Sequence, residues 1–111
     1  MKTIILILFC LGSSLYAKDT KELCIEIAQG GAFNFYLEET CGFSRGVANK
    51  AVDAYKNLKC NKYIGNKQFS TLSEIAIDDG IQRFKAYGKS EFCDANMQGY
   101  NDVADIFDGI K

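Results

Sequence analysis

The sequence predicts an all-α fold, a small four-helix up-down bundle braced by two disulfides. Three observations carry this reading: four segments repeat apolar residues at three- and four-residue steps, no segment alternates for long with period two, and four cysteines fall at segment ends.

Residues 1–17 read as a secretory signal peptide. Lys2 supplies the positive start, Ile4 to Leu11 the apolar run, and Ala17 closes a small-residue segment suited to cleavage. The apolar run is shorter than the ~20 residues a membrane-spanning helix needs. Residues 18–111 are then expected to form one helical domain, because fewer than 100 residues hold one core and no second.

The first helix opens on Asp19, with Glu22 three places on as a capping-box-like partner. Leu23, Cys24, Ile27, Ala28, Gly31, Phe35 and Cys41 form its apolar stripe, and Gly42 is a natural stop. Gly30-Gly31 in its middle lowers helix propensity by roughly 1 kcal/mol each relative to alanine. Either the helix bends there or a neighbour packs close against it.

The second helix is expected from Ser44 as N-cap to Cys60, with Val47, Ala48, Ala51, Val52, Tyr55 and Leu58 as its stripe. Residues 61–68 read as a polar connector with a turn at Gly65-Asn66. The third helix is expected from the capping box Thr71-Leu72-Ser73-Glu74 to Gly88. The fourth runs on from Ser90 with Phe92, Cys93, Asn96, Met97, Tyr100, Val103, Ala104 and Phe107 on one face.

Helix length selects the cysteine pairing. Cys24 and Cys41, 17 positions apart on one helix, stand about 25 Å apart at the helical rise. A disulfide tolerates only about 7 Å between Cα atoms. An antiparallel second helix returns Cys60 to the level of Cys24, and a fourth helix starts level with Cys41. The expected bridges are Cys24–Cys60 and Cys41–Cys93, and they point to an oxidising compartment, periplasmic or extracellular.

Composition excludes much chemistry. The chain has no histidine, which removes Ser-His-Asp and Cys-His catalysis and the histidine zinc motifs. No two cysteines form a C-x-x-C pair, so neither disulfide exchange nor a zinc site is expected. Removing Lys2 leaves 12 basic against 14 acidic residues, a balance unsuited to tracking phosphates, so no nucleic-acid partner is expected. The expectation is a non-enzymatic protein with no catalytic residue, metal or cofactor.

One segment stands out as a surface. Phe33, Phe35 and Tyr36 are too close in sequence to share one helix face. With Gly30 and Gly31 beside them they form the candidate binding patch, or the mouth of an apolar pocket. The leading functional expectation is a module that binds another protein in the exported compartment, as an inhibitor, immunity factor or chaperone does. The alternative is a carrier of a small hydrophobic ligand held between helices.

Overall fold

The computed structural model describes residues 19–109, so the expected signal peptide lies outside the described residues. Four helices follow in order: α1 Thr20–Cys41, α2 Val47–Asn57, α3 Asn66–Tyr87 and α4 Lys89–Gly109, with a 3-10 turn at Cys60–Lys62 between α2 and α3. There is no strand among the described residues. The fold is the expected all-α bundle, and its disulfides are the expected ones, Cys24–Cys60 and Cys41–Cys93. Such bridges are compatible with an oxidising extracellular compartment. No helix among the described residues is long and apolar enough to cross a membrane.

Packing pairs set the helix directions. Cys24 meets Cys60 and Gly31 meets Ala51, so α2 runs antiparallel to α1. Leu72 packs on the cluster around Cys24 and Ala28, whereas Gly80 lies against Phe33 and Tyr36, so α3 runs parallel to α1. Cys93 joins Cys41 at one end of α4, which then returns along α1. The central helix is α1, and every other helix packs against it.

The core has two parts. The larger holds Phe33, Leu37, Val47, Ala76, Phe92, Tyr100, Val103 and Ala104. The smaller surrounds the buried Cys24–Cys60 bridge with Ala28 and Ile64. The charged side chains lie outside both clusters.

Local start and stop signals explain α1. The Asp19 side chain accepts a hydrogen bond from Glu22 N at 2.8 Å, and Gly42 takes the left-handed conformation at φ 77°. Gly30-Gly31 does not break the helix. A methyl group added at Gly31 would stand 3.0 Å from Ala51 Cβ, so the glycine lets α2 pack close against α1 there.

Two helix starts differ from expectation. Ser44 does not cap α2, which begins at Val47 behind Gly46 at φ 70°. Its first N–H groups are instead satisfied by Glu38, which projects from α1: Val47 N donates to Glu38 Oε2 at 2.8 Å. The helix also ends at Asn57, three residues before Cys60, because Lys59 turns left-handed at φ 56°. In turn, α3 starts at Asn66 rather than Thr71, and the Thr71–Glu74 capping box lies inside it. Gly65 precedes the first turn in extended conformation, so the expected Gly65-Asn66 turn is itself the helix start. At the far end Gly88 stops α3 as expected, and α4 begins one residue before Ser90.

Candidate functional site

The expected surface patch divides when the helix is built. Phe33 is only 3% exposed and belongs to the larger core, packed beneath α3. Gly30 is buried as well, and Tyr36 is half-buried with its ring edge-on to Phe92 at 6.1 Å. These three are therefore not an exposed patch. Successive residues point about 100° apart on a helix, so Phe33 and Leu37 take the inner face while Phe35 turns outward. Phe35 is 47% exposed, and with Gly31 it lines an apolar groove.

The groove lies on α1, between α2 and α3. These two helices both pack on α1 but scarcely touch one another along their lengths. The gap left between them is a half-open cavity of about 440 Å³. Its floor is made of small residues, Ala28, Gly31 and Ala32 of α1 and Ala48 and Ala51 of α2. Its walls are Ile27, Phe35, Val52, Tyr55, Phe69 and Ile77. Small residues below and large ones at the sides are what keep the space open. At one end the Tyr55 and Phe69 rings meet with centroids 5.0 Å apart, bridging α2 to α3 and closing the groove.

Polar groups at the groove are few: Asn49, Lys56, Ser73 and the Tyr55 hydroxyl. Burial pushes the Tyr55 hydroxyl above its ordinary pKa, so it stays a neutral hydrogen-bonding group at physiological pH. Among the described residues Lys56 is the one charged side chain in the lining. Comparison with protein-family models, curated proteins and solved structures finds no match.

The other polar assembly joins the first loop to α4. Tyr100 Oη donates to Glu38 Oε2 at 2.6 Å and accepts from Arg45 N at 2.9 Å. Arg45 bonds Asp105 and Asp108 at 2.8 Å each, and Lys50 also pairs with Asp108. Burial, then the bond to Glu38, raises the Tyr100 pKa. Lys50 and then Arg45 hold the Asp108 carboxyl below its ordinary value. Every strong group here is engaged with another, which suits a clamp on the loop and leaves no free nucleophile beside a base. Among the described residues no set of three or more carboxylates and cysteines is grouped to hold a metal.

Of the expected site residues, then, Gly31 and Phe35 come together at the groove, while Gly30, Phe33 and Tyr36 support the core. The four cysteines brace the two ends. Sequence reasoning placed Ala48, Val52 and Tyr55 on a core-facing stripe and did not connect Phe69 and Ile77 with them. The signal available was the stripe Ile27–Gly31–Phe35, which is distinct from the buried strip Gly30–Phe33–Leu37. A helix with apolar residues on both strips has a second apolar surface to cover.

Proposed function

We propose that the protein is a non-enzymatic, exported binding protein that takes a small apolar ligand into the groove between α2 and α3. The observation that carries this reading is the groove itself. Its volume falls within the range of small-molecule sites, its lining is almost wholly apolar, and its few polar groups sit among that lining. A protein-binding module would draw on the same exposed Phe35, Val52 and Phe69. Concavity favours the small ligand, because small-molecule sites are concave, mostly apolar and of this volume. The absence of histidine and the engagement of Glu38, Tyr100 and Asp108 with one another support a binding role over a catalytic one.

Titration with the neutral apolar dye N-phenyl-1-naphthylamine tests the reading. We expect saturable one-to-one binding that Ala48→Phe abolishes while circular dichroism stays unchanged, since the new ring occupies the groove. Absence of saturable binding, or binding indifferent to Ala48→Phe, would overturn it.

A further inference from the structure

The charge in the groove lining lies toward one end. At the end closed by Tyr55 and Phe69 the groove carries Lys56, the single charge in its lining among the described residues. Lys59 and Lys62 follow along the chain, and Lys67 precedes Phe69 by two residues. None of these four lysines is in an ion pair among the described residues, whereas Lys50 and Arg45 are neutralised by Asp105 and Asp108. The opposite end has carboxylates nearby and, among the described residues, no lysine in the lining, while Asp53 and Glu74 adjoin the groove beside Val52 and Ser73. Glu38 and Glu39 lie one turn beyond Phe35, and Asp78 adjoins Ile77. At that end the first N–H groups of α2 are closed to an anion, because Glu38 Oε2 already accepts from Val47 N at 2.8 Å and Ala48 N at 3.4 Å.

We infer that the ligand is a single-chain anionic amphiphile, lying with its tail over the Ala28–Gly31–Ala32 floor and its head group at Lys56. This rests on the groove being the binding site. A tail laid from Tyr55 to Ala48 covers seven helical positions, about 10 Å at the helical rise, which a medium-length alkyl chain spans. A neutral hydrophobe would leave Lys56 with no role in recognition. A cationic one would set like charges together at Lys56 or bring its head group to the carboxylate end.

The test displaces the naphthylamine dye with dodecanoate, dodecan-1-ol and dodecyltrimethylammonium, all below their micelle concentrations, at low salt. The three share a tail and differ in head-group charge. Dodecanoate is expected to bind about fivefold more tightly than the alcohol, the upper range for an exposed ion pair, and the cation more weakly than either. Lys56→Glu, at an exposed position, is expected to reverse the order of the two ions. Raising the salt compresses the differences. Equal binding of the three, or an order that ignores Lys56→Glu, overturns the inference while the groove reading stands. Failure of all three to displace a dye that Ala48→Phe excludes overturns the inference, and only the absence of saturable dye binding overturns the groove reading with it.

Discussion

Tyr100 of α4 donates its hydroxyl hydrogen to Glu38 of α1 at 2.6 Å, and the same carboxylate oxygen caps the N-terminus of α2. One atom, Glu38 Oε2, thus ties three helices at the end of the bundle remote from the buried disulfide. Gly46, which occupies the N-cap position, offers no side chain for this purpose. Tyr100→Phe removes one hydrogen bond while keeping the packed ring, and is expected to cost about 1 kcal/mol. Glu38→Ala leaves the Tyr100 hydroxyl and the Val47 N–H without their acceptor, and is expected to cost about 2–3 kcal/mol. Urea midpoints measure both, with unchanged slopes showing that compactness is retained.

Stability should fall at both ends of the pH range for separable reasons. Lys50 and Arg45 hold the Asp108 carboxyl below 3.8, so the folded chain binds fewer protons than the unfolded one in acid. The resulting stabilisation is present above that ordinary value and is lost as the pH falls through the lowered one. Tyr100 and Tyr55 are raised above 10.0, chiefly by burial. Their contribution is complete below that value and disappears as the pH rises through the folded-state values. Asp108→Asn should flatten the acid limb of the urea midpoint against pH, and Tyr100→Phe part of the alkaline limb. The Asp108 effect should shrink in salt, since its side chain is half-exposed.

The disulfides and α1 were legible because their determinants are local or metric. Asp19 and Gly42 bound the helix, and helix rise excluded a Cys24–Cys41 bridge. The start of α2 was not legible, because its cap comes from Glu38, nine residues upstream and on another helix. Phe33 was misplaced for a related reason. Helical phase alone does not say which of two apolar strips meets the centre, and α3 and α4 decided it by packing on the Phe33–Leu37 side. The groove is a property of what α2 and α3 do not do. Two helices that both lean on α1 and meet chiefly through Tyr55 and Phe69 leave no signature in either segment.

The two bridges should differ in accessibility. Cys24 and Cys60 are fully buried, whereas Cys41 and Cys93 are partly exposed. Mild reduction under native conditions followed by alkylation is expected to label Cys41 and Cys93 first, with peptide mapping as the readout. Loop closure alone predicts nearly equal stabilisation, about 4 kcal/mol each, for sequence separations of 36 and 52. Serine pairs should nevertheless separate them. At 24 and 60 two hydroxyls enter an apolar cluster with Ala28 and Ile64, adding a burial penalty that the partly exposed pair escapes.

The groove floor depends on one close approach, Gly31 against Ala51. Gly31→Ala adds a methyl 3.0 Å from Ala51 Cβ, and both carbons are fixed to helical backbone, so α1 and α2 must separate. Alanine's better helix propensity offsets about 1 kcal/mol of that cost, and overpacking of about 1–3 kcal/mol outweighs it. The expected result is a net loss of stability with weaker dye binding, because the wall at Val52 and Tyr55 moves with α2. Gly31→Ala combined with Ala51→Gly transfers the methyl to the opposite helix and relieves the contact. The double variant should recover binding and return close to the original stability, because alanine's gain in α1 and glycine's cost in α2, about 1 kcal/mol each, offset one another. A double-mutant cycle reads this as a coupling between positions 31 and 51. Strict additivity of the two changes would mean that the separation of α1 and α2 is set elsewhere.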